Sequence, residues 1–402
     1  MPTSPMRAGV EAHLRAILGA LVVGTCVLSS LATLVCLLLV HVNREMAGNR
    51  DFVVYWATGR QLVQHLNPYD PATMPAIERA AGLPRRYSAG YMRNPPWALP
   101  LAYPLGLTSL RVAALFGSLI LIGAFAISVR MLCGIHACRD RVVQSLVWLC
   151  APALICLIWG QTSLLVLLGL ALFFRFHASR PWLAGASLWL CALKPHIVLP
   201  VLIVILAWIV VSHSYRVLAG AAVTLAASLL ATFWLDPQFW PQYKAMLGFS
   251  GVETDPIPSL SVLLRTHFAP NWLALQFVPV AAACVWAIAY FWNRRQSWNW
   301  SRDANLILLV SLVAAPYAYI NDHVVVLPAL LCAACVASSR WLLGMLAFAS
   351  ALLEVAFFAN FVSRVPLYWA TLLAPLFWLA WYWLASRKAA FREEPSRDPA
   401  FT

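Results

Sequence analysis

The sequence predicts an all-α, polytopic membrane protein, a bundle of about twelve membrane-spanning helices. Two observations carry this prediction. Of its 402 residues 62% are apolar and only 11% are charged, whereas a soluble domain has about 25% charged residues. The apolar residues also form long segments without a charge, as spanning helices require. Disorder, a coiled coil and an ordinary cytosolic enzyme are excluded on the same grounds.

The predicted spans follow from runs of about 20 largely apolar residues. Residues 16–40 form the first, too long for a signal-peptide core and without a convincing cleavage site. The charge-free stretch 142–174 accommodates two short helices, with Gly160-Gln161-Thr162 as the turn between them. A proline allows either a kink or a loop at Lys194-Pro195. The other spans are predicted near residues 110–132, 182–194, 196–212, 217–235, 271–292, 304–319, 323–338, 341–358 and 366–385.

The formal net charge of +13 indicates orientation, because short cytoplasmic connections are enriched in Lys and Arg. With both termini inside, the short inside connections hold ten arginines, among them Arg139, Arg141, Arg175, Arg216 and Arg340, whereas the short outside connections near 160, 320 and 360 hold almost none. We therefore expect a cytoplasmic-membrane protein with one domain over residues 1–385. Its large outside loops are residues 42–105 and 236–270. Residues 386–402 are expected to form a disordered cytoplasmic tail.

Residues 51–65 of the first loop have apolar side chains at helical spacing, which predicts an amphipathic helix lying in the membrane interface. The turn-forming residues 66–71 should end it. Asp51 is its first residue, and position alone favours a helix N-cap that accepts amide hydrogens. The alternative is a carboxylate at the membrane surface that takes a proton from an acceptor hydroxyl, which contributes about 10²–10⁴-fold to a rate.

Other polar residues stand out because charge inside apolar segments is costly and usually faces a wet cavity or the protein interior. Lys194 interrupts one such segment, and it either reaches for the headgroups or binds an anion. Arg93 and His196 are interfacial residues or ligands, and His323 is a polar helix start or a hydrogen-bond donor. Glu354 lies within a predicted span and needs a partner or a proton, with Arg364 or an acceptor as alternatives.

Several short motifs, in this order along most of the chain, resemble glycosyltransferase family 87, whose members are integral membrane enzymes of the GT-C class. The first two are Asp51-Phe52-x-x-Tyr55-x-Ala57 and Asn67-Pro68-Tyr69-Asp70. The later ones are Asn94-Pro95-Pro96, Gly160-Gln161-Thr162-x-Leu164-Leu165, Leu193-Lys194-Pro195-His196 and Asn321-Asp322-His323.

This resemblance implies a GT-C helical bundle and an inverting transfer of a single sugar, mannose first and arabinofuranose as the alternative. The donor would be a polyprenyl monophosphate sugar, and the acceptor a lipid or glycan outside the cytoplasmic membrane. Asp51 matches the position of the presumed general base. Expected phosphate contacts are Lys194, His323, Arg93 and His196, and expected acceptor or sugar contacts are Tyr55, Asp322 and Glu354. No metal, other cofactor or nucleic acid is implied, because protein cations could stabilise a monophosphate leaving group.

Two other functions remain open from the sequence. A membrane transporter or lipid flippase could have a similar number of spans, although transporters often show two related halves and none are visible here. A non-catalytic assembly subunit is the second alternative, and it predicts that Asp51 tolerates substitution.

Overall fold

The structure is a computed structural model that describes residues 23–24, 27–28, 30–39, 51–83, 90–249, 259–337, 339–363 and 368–393. Among these residues the regular elements are all helical, which confirms the predicted all-α class. In chain order the helices of the first half are α1 (Ser30–Leu39), α2 (Phe52–Val63), α3 (Met74–Ala80), α4 (Leu99–Gly106), α5 (Leu110–Ile135), α6 (Arg141–Trp148), α7 (Ala151–Trp159), α8 (Ser163–Phe176) and α9 (Pro181–Cys191). The second half has α10 (Leu199–Val211), α11 (Tyr215–Leu235), α12 (Phe239–Phe249), α13 (Leu260–Phe268), α14 (Val278–Arg294), α15 (Trp300–Ala314), α16 (Leu327–Val336), α17 (Arg340–Ser363) and α18 (Tyr368–Glu393).

Five stretches of the described chain are long and apolar enough to cross a membrane. They are Leu110–Ile135, Arg141–Trp159, Tyr215–Leu235, Leu273–Ser297 and Arg340–Ala359. Further apolar helices, α8 and α10 among them, are shorter. In the described part of the chain helices occur near the predicted positions, whereas residues 16–22 of the first predicted span lie outside it. The count of about twelve spans is not confirmed, because turns and prolines divide several apolar stretches into short helices.

Helix α18 extends beyond residue 386, the predicted start of the C-terminal tail. It runs from Tyr368 to Glu393, residues 394–402 lie outside the described part of the chain, and the disorder of the tail stays a prediction. The segment after Ala385 reads Ser-Arg-Lys-Ala-Ala-Phe-Arg-Glu, and Ala, Arg, Lys and Glu are among the strongest helix formers. Low apolar content therefore ends the membrane-compatible part of this segment without ending the helix.

Helix α2 is the predicted helix of the first loop, and it ends where the turn residues begin. Gln64 is its C-cap and His65 takes a positive φ of 55°. The apolar face is buried within the protein, since Phe52 and Trp56 are 3% and 4% exposed. Both pack in one cluster with Ala113 and other side chains of neighbouring elements. The apolar face of α2 is thus covered largely by protein, and its burial does not require a membrane. The location of α2 in the membrane interface stays a prediction.

Two glycines allow α2 and α4 to cross in close contact. A Cβ atom at Gly59 would lie 2.1 Å from the carbonyl oxygen of Ala102, and one at Gly106 would lie 2.0 Å from the carbonyl carbon of Gly59. Both neighbours are backbone atoms that cannot rotate away. This crossing fixes the position of α2 and of the polar residues at its start. The Arg60 guanidinium adds a 3.1 Å hydrogen bond from Nη1 to the Gly106 carbonyl oxygen.

Gly59→Ala is expected to destabilise the protein by about 1–3 kcal/mol, the usual cost of overpacking, because the added methyl group meets backbone. Gly123→Ala is the matched control, since a Cβ there has nothing within 4 Å and alanine is the better helix former. Thermal unfolding of both variants in detergent measures the difference. Equal unfolding temperatures would show that the α2–α4 crossing adapts to a side chain.

Three interruptions between helices bring polar residues together at one end of the bundle. Gly160 ends α7 in the left-handed conformation at φ 70°, which glycine adopts without strain. The α9–α10 connection contains Pro195, and the α15–α16 connection contains Pro316; proline cannot donate a backbone hydrogen bond. Within a membrane, irregular backbone is tolerated only where it is buried in protein or lines a cavity, so interruptions that carry buried polar residues are candidates for a functional site.

Candidate active site

Asp51 directs its carboxylate towards the bundle and does not cap α2. Its side chain accepts no hydrogen bond from the amides of the first turn, so the N-cap role favoured by its position is wrong. Instead Gln161 Nε2 donates a hydrogen bond to Asp51 Oδ2. Among the described residues this is the one side-chain hydrogen bond that Asp51 makes. Its second oxygen, Oδ1, therefore remains able to accept a proton.

The amide of Gln161 connects Asp51 to the rest of the cluster. Its Oε1 accepts a 2.7 Å hydrogen bond from Lys194 Nζ and a 3.3 Å hydrogen bond from the Tyr55 hydroxyl. The Tyr55 hydroxyl also lies 3.4 Å from Thr162 Oγ1. Tyr55 stands one turn after Asp51 on α2, so the same helix presents the carboxylate and the phenol to one turn of the α7–α8 connection.

Lys194 is a buried hub with three acceptors. Its ammonium group bonds Gln161 Oε1, Ser163 Oγ at 3.0 Å and Asp322 Oδ1 at 2.8 Å. The residue is only 9% exposed. An ammonium group has three hydrogens, so the three acceptors occupy all of them. In this arrangement Lys194 contributes charge to the site while its direct bonds hold protein groups.

Asp322 is equally engaged. Oδ1 accepts from Lys194 and, at 2.6 Å, from Ser163 Oγ. Oδ2 accepts the Tyr319 backbone N–H at 3.0 Å and so caps its own helical turn, Ile320–Val326. Lys194 and Asp322, which are 128 positions apart in the chain, thus form a buried ion pair.

Burial has the largest influence on the pKa of Asp51 and raises it above the ordinary value for aspartate. The hydrogen bond from Gln161 and the charge of Lys194 lower it, the carboxylate of Asp322 raises it, and Arg93 lowers it. The net direction is upward. Asp51 is therefore a stronger base than an exposed aspartate, which suits a residue that must take a proton near neutral pH.

The Asn94-Pro95-Pro96 motif braces the turn that carries Lys194. Asn94 Nδ2 donates a 3.0 Å hydrogen bond to the Leu193 carbonyl oxygen, and Trp97 Nε1 donates a 2.9 Å hydrogen bond to that of Ala192. The Tyr69 hydroxyl in turn donates to the Asn94 carbonyl oxygen at 3.3 Å. Three of the predicted motifs thus meet around one turn of the chain.

Arg93 and His196 lie beside this cluster. Arg93 stacks over the Tyr91 ring with its guanidinium carbon 4.9 Å from the ring centroid, and Nη2 bonds the Tyr91 hydroxyl at 3.2 Å. His196 stacks on Tyr317 with ring centroids 4.0 Å apart. The His196 Nε2 atom is buried without a hydrogen-bond partner among the described residues, which leaves a polar group available to a ligand.

His323 and Glu354 are not brought into the hydrogen-bonded cluster. His323 follows Asp322 directly, is 1% exposed, and neither ring nitrogen has a partner in the described part of the chain. Glu354 is also 1% exposed but lies on α17, where it accepts a 3.4 Å hydrogen bond from Thr33 of α1. Arg364, its suggested partner, lies outside the described residues.

Sequence reasoning missed two members of the cluster, Gln161 and Ser163. Both are polar residues in a stretch that is otherwise almost entirely apolar, and both follow the glycine that ends α7. That combination was the available signal. Within the described residues no group of three His, Cys, Asp or Glu side chains could hold a metal ion, and the independence from metal remains a prediction.

The fold and the cluster define the class of protein: a membrane-embedded helical bundle with a buried polar site, built where its helices are interrupted. The model of glycosyltransferase family 87 matches residues 91–316, more than half of the sequence. The chain therefore belongs to glycosyltransferase family 87 and is a glycosyltransferase. The matched stretch includes Arg93, Gln161, Lys194 and His196, whereas Asp51 lies before it. Comparisons with curated proteins and with solved structures give no match.

Proposed function

We propose that this glycosyltransferase moves one sugar, mannose in the first instance, from a polyprenyl-phosphate donor to a hydroxyl of a lipid or glycan acceptor, with inversion at the anomeric carbon. Asp51 is the general base. The observation that carries the proposal is the Asp51 carboxylate itself: it does not cap its helix, it is oriented by Gln161, and it keeps one oxygen available to a substrate hydroxyl.

The proposed reaction is a single displacement. Asp51 Oδ1 takes the proton of the acceptor hydroxyl while the hydroxyl oxygen forms a bond to the anomeric carbon. The bond from that carbon to the phosphate oxygen breaks on the opposite face, and polyprenyl phosphate leaves with the electron pair. The attacking hydroxyl and the leaving phosphate thus lie on opposite faces of the sugar, so the product has the inverted anomeric configuration.

The leaving phosphate carries the negative charge, and preorganised positive groups stabilise it best in a water-poor site. We assign Arg93 as the main contact of the leaving phosphate. It lies close enough to Asp51 to lower the pKa of that carboxyl group, and a guanidinium can bind phosphate through two N–H groups. Lys194 acts through its charge, because Asp322, Ser163 and Gln161 occupy its ammonium hydrogens. His196 contributes Nε2, and His323 contributes both ring nitrogens; none of these three atoms has a partner among the described residues.

Tyr55 and Asp322 border the proposed sugar and acceptor side, but both already bond protein groups. They shape this side of the site and hold Gln161 and Lys194 in place. Glu354 accepts a hydrogen bond from Thr33 between α1 and α17, and a role in binding the acceptor stays a proposal from the family resemblance.

The proposed orientation places this site at the outer face of the cytoplasmic membrane. Gln161 and Asp322 come from short connections that were assigned to the outside because they hold almost no arginine, and Lys194 bonds both of them. Asp51 belongs to the 42–105 loop, which is basic but too long to decide the orientation. Residues assigned to the inside also meet one another, since Arg340 Nη1 lies 3.0 Å from Asp140 Oδ2. The packing therefore supports two separate sets of connections, one on each side of the membrane. The positive-inside rule indicates which of the two sets is cytoplasmic.

The proposal is tested with membranes that contain the protein and matched membranes that lack it. Each receives polyprenyl-phosphate mannose labelled in the sugar, with a lipid and glycan extract as acceptor. A labelled product with the opposite anomeric configuration, formed only with the protein, is the expected result.

Polyprenyl-phosphate arabinofuranose and a nucleotide sugar serve as alternative donors in parallel. A product from the arabinofuranose donor would correct the sugar and keep the mechanism. A product from the nucleotide sugar alone would overturn the donor class, and retention of configuration would overturn the single displacement.

A further inference from the structure

The side-chain amide of Gln161 has a fixed orientation, set by its own neighbours. An amide oxygen has two acceptor sites, and both are occupied, by Lys194 Nζ at 2.7 Å and by the Tyr55 hydroxyl at 3.3 Å. The opposite orientation would aim the NH₂ group at an ammonium ion. The NH₂ group must therefore face Asp51, to which it donates.

The orientation of Lys194 is fixed in the same way from the other side. Asp322 Oδ1 and Ser163 Oγ hold its ammonium group at 2.8 Å and 3.0 Å. Ser163 Oγ in turn donates to Asp322 Oδ1 at 2.6 Å. A chain of hydrogen bonds thus runs from Asp322 through Lys194 and Gln161 to Asp51. Buried chains of this kind restrict each member to one geometry.

We infer that Gln161 is a positioning residue with two effects on Asp51. It holds Oδ2 so that Oδ1 faces the acceptor hydroxyl, and its hydrogen bond adjusts the proton affinity of the carboxylate. This inference rests on the proposed role of Asp51 as the base. Hydrogen bonding to a charged carboxylate favours the charged form, so the Gln161 amide opposes the effect of burial and favours the ionised form of Asp51. The Lys194–Asp322 pair then acts on the base through Gln161 rather than by touching the substrate.

The charged and titratable groups that face Asp51 come from four segments. They are Tyr55 on α2, Arg93 before α4, Lys194 between α9 and α10, and Asp322 before α16. Removing the Gln161 donor leaves these charges in place and withdraws one interaction that favours the carboxylate. Protonation of Asp51 then occurs at higher pH, and the acidic limb of the pH–rate profile moves towards neutral pH.

Two substitutions separate positioning from simple support. Gln161→Glu keeps the length of the side chain and can still accept from Lys194 and Tyr55, but an ionised carboxylate cannot donate to Asp51. Gln161→Met keeps the length and makes neither bond. If Gln161 merely supported Lys194, the glutamate variant would work as well as wild type. With a positioning role both variants lose about 10²-fold in kcat at neutral pH, the order of effect of a misplaced reacting group.

The experiment measures kcat and KM against pH for wild type, Gln161→Glu, Gln161→Met and Asp51→Asn, with polyprenyl-phosphate mannose as donor. Thr162→Val is the matched control for the pH effect, because Thr162 lies on the same turn and its Oγ1 lies 3.4 Å from the Tyr55 hydroxyl, while it makes no hydrogen bond to Asp51 in the described part of the chain. We expect both Gln161 variants to show lower kcat, little change in KM and an acidic limb at higher pH. Thr162→Val should leave the limb in place, and unfolding temperatures in detergent check the fold of every variant.

A second readout does not depend on the donor. Infrared spectroscopy follows the protonated-carboxyl band that is lost in Asp51→Asn, and its titration should move to higher pH in Gln161→Met. A wild-type limb and wild-type band in both Gln161 variants would overturn the inference while the role of Asp51 stands. Full activity of Asp51→Asn would instead overturn the proposed function. In that case the infrared band still tests Gln161 separately, because a titration in Gln161→Met that equals the wild-type titration would reject its effect on the proton affinity of Asp51.

Discussion

Asp51→Asn is expected to reduce kcat by about 10²–10⁴-fold, the contribution of a positioned general base. Asparagine keeps the size of the side chain and can still interact with Gln161, but it cannot take a proton. Because the substitution removes a buried carboxylate, we expect no loss of stability. The measurement is kcat and KM with labelled donor at equal amounts of folded protein.

Asp70→Asn is the matched control for Asp51→Asn. Asp70 belongs to the same loop, and its Oδ1 accepts the Ala72 backbone N–H at 2.9 Å, an Asx-turn contact outside the cluster. We expect this variant to retain transfer activity. If both variants were fully active, Asp51 would have no catalytic role, and the assembly-subunit alternative would regain support.

The pH dependence of the wild type follows from the same carboxylate. The base works only when it is ionised, and the pKa of Asp51 is raised, chiefly by burial. Transfer should therefore decline as the pH falls through this raised pKa, at a higher pH than an exposed aspartate would give. A profile that stays flat down to the ordinary aspartate range would contradict the environment described for Asp51.

Lys194→Met is expected to destabilise the protein by about 3–5 kcal/mol, the usual cost of breaking a buried ion pair from one side. The substitution leaves Asp322, whose side chain is 1% exposed, as a buried carboxylate without its cation. Gln161 Oε1 also loses its closer donor, at 2.7 Å. We expect a lower unfolding temperature in detergent together with loss of transfer activity.

The double variant Lys194→Met/Asp322→Asn tests whether the unpaired charge causes the loss. Its unfolding temperature should recover in part, because asparagine removes the buried charge and can still accept the Tyr319 backbone N–H. Arg340→Met is the matched control for an ion pair of similar length, 3.0 Å, whose Arg and Asp side chains are 72% and 39% exposed. Exposed pairs contribute about 0–1 kcal/mol, so a control as unstable as Lys194→Met would refute the argument from burial.

Much of the local structure was predictable because local signals determine it. The turn at Gly160 follows from the conformational freedom of glycine, and the end of α2 follows from the turn-forming residues after His65. The predicted base, Asp51, was also identified by a local motif. Its N-cap alternative failed because the hydrogen bond from Gln161, 110 residues away, orients the carboxylate away from the amides of its own helix.

Roles within the site were less predictable than its members. Lys194 was expected to bind phosphate directly, but its ammonium group donates to three protein acceptors instead. Asp322 was expected near the sugar, and it pairs with Lys194 and caps a helical turn. Glu354 stood out equally as a buried charge, yet it accepts a hydrogen bond from Thr33 and takes no part in the cluster around Lys194. A charged residue in an apolar segment predicts that a polar partner exists, but the sequence does not identify that partner.

Hydropathy and short motifs are properties of consecutive residues, and they were sufficient to predict an apolar helical protein of glycosyltransferase family 87. They also predicted the turn at Gly160-Gln161-Thr162, but they left Lys194-Pro195 open between a kink and a loop and placed a span over 304–319, where the helix ends at Ala314. Which interruptions meet depended on the packing of the whole chain: Asp51, Gln161, Lys194 and Asp322 come from four segments, and no periodicity relates them. The physical reason is that helical spacing identifies the face of each helix that is buried, whereas the packing of helices against one another, as at Gly59 and Gly106, decides which polar side chains become neighbours.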